Sequence, residues 1–144
     1  MNVQSILGVK GRDVATIGQH ATLSEVAAIL RDRGIGALVV SDDGTHIVGI
    51  VSERDVVRAL AAHGAGALGR TVGSVMSTDV VTCVADDAVE SLMASMTERR
   101  IRHLPVVADD RSLTGIISIG DIVKARLGQL ETEKQALVDY IHGR

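Results

Sequence analysis

The chain has 144 residues, 46% of them hydrophobic, enough apolar side chain to build one domain-sized core without covalent staples. A formal net charge of −3, a single tyrosine and no phenylalanine or tryptophan leave out the basic stripe and stacking aromatics of a nucleic-acid binder. One cysteine excludes an internal disulfide, no window of about 18 apolar residues offers a membrane span and the N-terminus lacks a signal-peptide pattern, so a cytoplasmic protein with no nucleic-acid or membrane partner is expected.

A short apolar lead-in, Val3-x-x-Ile6-Leu7, comes first, and residues 13–17, DVATI, read as an entry strand. Leu23, Val26, Ala27 and Leu30 then recur at helical spacing behind Thr22-x-x-Glu25, a capping box. Two β-rich runs, 35–40 and 46–51, flank a turn at Asp42-Asp43-Gly44, and a helix with Val56, Val57 and Leu60 on its buried side starts after Ser52. The stretch 61–70, AAHGAGALGR, reads as a linker.

The pattern then begins again. Val72-x-x-Val75-Met76 is a second lead-in and DVVTC, 79–83, a second entry strand, in which Cys83 reads as a small apolar strand residue. Val89, Leu92, Met93 and Met96 mark a second amphipathic helix, with Asp87-x-x-Glu90 as an Asp-led variant of the capping box. Runs 101–107 and 113–118 follow around DDRS, and a last helix with Ile122, Val123 and Leu127 on its buried side starts after Ser118. Laying residues 13–60 over 79–126 needs no gap and aligns fifteen identical pairs. Average composition alone gives roughly three to five.

The order is therefore β-α-β-β-α, twice, and a unit of this size is too small to bury its own sheet, so the two units pack into one mixed α+β body with pseudo-two-fold symmetry. Domain boundaries are expected at 1–66 for the first repeat with its lead-in, 67–127 for the second, and 128–144 for a C-terminal helical extension. Val123, Leu127, Leu130, Lys134, Leu137 and Ile141 step along that extension as a heptad-like seam with one polar interruption. Its own chain offers the seam nothing to bury against, which predicts a homodimer contact.

The two Ser-x-x-Asp corners, Ser52 to Asp55 and Ser118 to Asp121, carry the chemistry. A Ser N-cap with a carboxylate three residues on starts a helix, and that alone accounts for both. Yet Glu is the usual residue to reach back, and both copies have Asp. At the end of a strand and the start of a helix, such a carboxylate accepts from vicinal hydroxyls, while the Ser hydroxyl and helix N–H groups suit a phosphate. Gly120 lets a ligand approach the backbone, and Arg54 at the matching place offers a cation.

The duplicated unit, the endings GIVSERD and GIISIGD, and RIRHLPVV before the second hairpin resemble a tandem pair of cystathionine-β-synthase (CBS) domains over roughly residues 1–127. The resemblance implies a stand-alone regulatory module that binds AMP, ADP, ATP, NAD(H) or S-adenosylmethionine between its repeats, has no catalytic cofactor, and signals to a partner protein. It puts Asp55 and Asp121 on ribose and Ser52 and Ser118 beside phosphate. It places adenine against Ala15, Ile35, Gly36 and Ala37 in one copy and Val81, Ile101, Arg102, His103 and Pro105 in the other.

Only the second copy brings a basic pair, Arg102 and His103, to the cleft, where the first has Gly36 and Ala37. The cluster Arg99, Arg100, Arg102 and His103 reads either as a solvated helix end or as part of that cleft. No nucleophile with a base, metal-ligand spacing or Walker-type loop points to an enzyme. The competing reading is a ligand-independent oligomerisation module.

Overall fold

The computed structural model describes residues 1–143; the first unit carries the full β-α-β-β-α order, whereas in the second the expected entry strand 79–83 is reduced to a single bridge at Cys83, and each unit is preceded by a short helix. Helix α1 (Val3–Lys10) precedes β1 (Thr16–Ile17), α2 (Leu23–Arg33), β2 (Ala37–Val40), β3 (Gly49–Ser52) and α3 (Glu53–His63). A 3₁₀ segment, Gly64–Gly69, leads to α4 (Val72–Val75), α5 (Val89–Arg99), β4 (His103–Val107), β5 (Leu113–Ser118) and α6 (Ile119–Ile141). Among the described residues no helix is long and apolar enough to cross a membrane.

In the first unit β1 pairs parallel with β2, and β2 pairs antiparallel with β3. The second unit repeats the hairpin as β4 and β5, and its entry segment touches β4 through a parallel bridge between Cys83 and Val106. Cys83 is buried there, and burial pushes its thiol pKa up to about 12, in keeping with an inert apolar strand residue.

Two apolar clusters make the core, and their membership crosses the chain order. Leu23, Val26, Leu30, Leu38 and Val51 of the first unit close around Val72, with Val75 and Met76 packed beside it. Val89, Leu92, Met96, Leu104 and Ile117 of the second close around Val3, Ile6 and Leu7. Each lead-in helix therefore fills the core of the unit it does not precede. Backbone bonds fix the arrangement: Val3 N–H donates to Asp87 O (3.0 Å) and Val89 N–H to Met1 O (3.1 Å), while Val72 N–H donates to Ala21 O (2.8 Å) and Leu23 N–H to Arg70 O (3.0 Å).

Close contact demands glycine at the two matching strand positions. A Cβ on Gly49 would stand 2.6 Å from Met76 Sδ and 2.9 Å from Ser77 O, and one on Gly115 would stand 2.9 Å from Leu7 Cδ2.

Several local expectations are corrected. Thr22 and Glu25 form the capping box as read, but the N-cap of α5 is Ala88, because the Asp87 carboxylate turns back to accept from Val84 N–H (2.9 Å). The stretch 61–70 is not a free linker: α3 runs into it, and Ala67 is fully buried in the first cluster. Val57, Leu60, Val123 and Leu127 are 63%, 38%, 51% and 57% exposed; Ile122 is buried as read, and Ala59 takes the buried position of α3. Met93 likewise faces outward from α5.

Candidate functional site

Each corner is built by a strand that hands its last residue to a helix as N-cap. Ser52 ends β3 and Ser118 ends β5, both with extended backbone, and each capping box is complete. Asp55 Oδ2 accepts from Ser52 N–H (2.8 Å) and Ser52 Oγ (3.1 Å), and Asp55 N–H donates to Ser52 Oγ (3.4 Å). Asp121 Oδ2 accepts from Ser118 N–H (2.9 Å), and Asp121 N–H donates to Ser118 Oγ (3.1 Å). Both carboxylates cap their helices and are half-buried, and among the described residues neither Oδ1 has a hydrogen-bond partner. Capping and ligand binding are therefore compatible roles for one side chain.

Between the units lies a cleft of about 1000 Å³. On the first unit's wall stand Gly36, Ala37, Ser52, Arg54 and Asp55. On the second unit's wall stand Val81, Ile101, Arg102 and His103, with Ser118 and Gly120 beyond them. Eleven sequence-selected residues thus share one space. Ala15, Ile35, Pro105 and Asp121 are not on its wall. Ala15 and Ile35 pack against the first core cluster, and Pro105 is buried in β4, its carbonyl accepting from Cys83 N–H (3.0 Å).

Asp121 is engaged elsewhere. Lys10, at the end of α1, sets its Nζ 2.6 Å from Asp121 Oδ2 and 2.7 Å from the Ile116 carbonyl. Burial acts to raise the Asp121 pKa, but hydrogen bonds from Lys10 and Ser118 together with the Lys10 charge hold it below the usual carboxylate range.

Other wall residues came from no sequence signal. Ser77, Asp79 and Val80 follow α4, and they reach the cleft because α4 packs on the first unit. Glu53, Arg58, Arg99 and Arg100 bring further charges, and basic side chains outnumber acidic ones around the cleft of a chain whose net charge is −3. The basic cluster at 99–103 is thus wall as well as helix end.

His103 stands on the cleft wall, paired across the sheet with Ser118, its ring 3.1 Å from where a Cβ on Gly36 would be. Burial, then the charges of Arg102 and Lys10, lower its pKa, with Glu53 and Asp121 opposing. Among the described residues no cluster of three His, Cys, Asp or Glu side chains is placed to hold a metal ion.

The CBS domain family model matches residues 8–62 and 72–128. The chain is 33% identical over 126 residues to the mitochondrial CBS domain-containing protein CBSX3 of Arabidopsis thaliana, covering 85% of this chain but only 61% of that protein. Its fold superposes on a CBS-domain protein of Agrobacterium tumefaciens with TM-score 0.84 and 44% identity, over 88% of this chain and 99% of the other. A CBS domain protein of Pyrobaculum aerophilum complexed with AMP matches with TM-score 0.76 and 29% identity, covering 92% and 99%. The CBS domain pair of protein MJ0100, in complex with 5′-methylthioadenosine and S-adenosyl-L-methionine, matches with TM-score 0.79 and 28% identity, covering 90% and 98%.

Proposed function

The chain belongs to the CBS domain family, and from that premise we propose that it is a regulatory module that binds an adenosine nucleotide between its repeats and passes the occupancy of that cleft to a partner protein. The observation that carries this reading is the inter-repeat cleft of about 1000 Å³ in which the Asp55 carboxylate, the Ser52 hydroxyl and a set of basic side chains face one space. Asp55 accepts from the ribose hydroxyls. Ser52, the N-terminus of α3 and Arg54 receive the phosphate. The aliphatic wall of Ala37, Val81 and Ile101 takes the adenine, with Gly36 leaving room. AMP, ADP, ATP and NAD(H) share the adenosine phosphate that this arrangement recognises, and neighbours of the same fold hold AMP or S-adenosyl-L-methionine. The module operates in the cytoplasm, where its unpaired cysteine stays reduced.

A thermal-shift panel of AMP, ADP, ATP, NAD(H) and S-adenosylmethionine tests the proposal. A ligand at 100 times its Kd adds about 2.7 kcal/mol of stability, so the midpoint should rise by several degrees. A melt unmoved by all five at millimolar concentration would leave the second reading, a ligand-independent interaction module. That reading draws on the exposed apolar side chains Val123, Leu127, Leu130 and Leu137 of α6. The same face supports a homodimer in either case.

A further inference from the structure

The corners at Asp55 and Asp121 have the same local geometry and different neighbours. On β3, the carbonyl of Ile50 accepts from Ser77 N–H at 2.9 Å, because the chain leaves α4 early and runs extended beside the strand. On β5, the matching carbonyl of Ile116 accepts instead from Lys10 Nζ at 2.7 Å, because α1 continues as helix for one more turn. The same ammonium lies 2.6 Å from Asp121 Oδ2. The two side chains are only 30% and 24% exposed. The two lead-ins enter their cores alike, Val3 matching Val72, but beyond them the chains diverge: the place Lys10 takes at the Ile116 carbonyl is taken at Ile50 by the Ser77 backbone, which brings no charge. Among the described residues Asp55 has no ammonium at its carboxylate and opens onto the cleft, whereas the Asp121 carboxylate is held by Lys10.

We infer that Lys10 closes the second corner, so that the chain takes one adenosine compound, at Asp55, and not one at each repeat. This rests on the adenosine-binding reading above and adds to it which corner is occupied and which residue decides. Both carboxylates keep Oδ1 open, but Asp121 Oδ2 carries a charge-assisted bond from an ammonium that Ile116 also holds, which a ribose using both oxygens would have to displace, whereas Asp55 Oδ2 carries only the bonds of its own capping box.

Calorimetric titration with AMP reads the stoichiometry. Wild type should bind one AMP per chain, and Asp55→Asn should lose it while Asp121→Asn keeps it. Lys10→Ala should open a second site, as should Lys10→Met, which keeps the packing of the side-chain stem; Lys10→Arg should keep one. Two comparable sites in wild type, or a single site in both Lys10→Ala and Lys10→Met, would overturn the closure and leave adenosine binding standing. No binding by wild type and Lys10→Ala alike, with S-adenosylmethionine tried beside AMP, would overturn both. A readout without ligand accompanies these: the midpoint shifts of Lys10→Ala and Asp121→Asn should fall short of additivity in the double variant, and full additivity would count against the closure whatever AMP does.

Discussion

Arg100 pays for its position with backbone strain. It caps α5 at φ 55 and ψ 39, the left-handed region that its counterpart in the first unit, Gly34 at φ 62, occupies without a Cβ. A non-glycine residue there costs about 1 kcal/mol or more. Its side chain is on the cleft wall, the place where such strain is tolerated in exchange for a charge. Arg100→Gly should therefore stabilise the fold by about 1 kcal/mol in urea unfolding while weakening the binding of AMP relative to adenosine. A variant that is no more stable, or that binds both as before, would remove Arg100 from this account. His103 carries a proton argument. Its pKa lies below the ordinary histidine value in the ligand-free chain, so its contribution to stability is full above about pH 6.5 and is lost as pH falls toward the folded pKa. A phosphate in the cleft raises that pKa again. AMP binding near pH 6 should take up protons, measured as a heat that changes with the ionisation enthalpy of the buffer, and His103→Gln should abolish the uptake. Of these residues, the sequence displayed Asp55, Arg102 and His103 through motif and repeat. Lys10 was invisible because its role comes from which core a distant lead-in helix enters.

At the scale of elements, the legible features were those with local causes. The helical periodicity of α2, the capping boxes at Thr22, Ser52 and Ser118 and the two hairpins all follow from contacts within a few residues. The start of α5 was misread for a nonlocal reason. Met1 O and Asp87 O bond with residues on the far side of the chain, Val89 and Val3, so the segment is anchored by α1 and the Asp87 side chain is released to its own turn. Val57 and Val123 were misread because periodicity finds an apolar face without saying what covers it. The position of α1 yields a test. Leu7 is 1% exposed among second-unit side chains, and Leu7→Ala removes a buried isopropyl group beside Gly115. It should cost about 2–4 kcal/mol. Hydrogen exchange should locate the loss in β4, β5 and α5, not in the strands of the first unit that Leu7 precedes. Equal loss in both units, or loss confined to the first, would contradict the core assignment.

For the whole molecule, the conspicuous surface is α6, a single helix of 23 residues whose apolar side chains Leu127, Leu130, Leu137 and Ile141 are 57%, 53%, 61% and 70% exposed. A second copy laid along this seam would cover it, and truncation after Gly128 should turn a dimer into a monomer in sedimentation at tens of micromolar while leaving the melt of the repeats nearly unchanged. A full-length chain that sediments as a monomer would set the dimer aside. The crossing of the lead-in helices has a consequence of another kind. Taken alone, one repeat with its own lead-in is half a handshake: its core has an unfilled slot, and its helix fits the slot of an identical neighbour. Two such halves satisfy each other only around a two-fold axis, so a single repeat with its lead-in, produced alone, should associate as a symmetric pair. Joined in tandem, the two halves need not be identical: Lys10 holds the Ile116 carbonyl in one, and the Ser77 backbone holds the Ile50 carbonyl in the other.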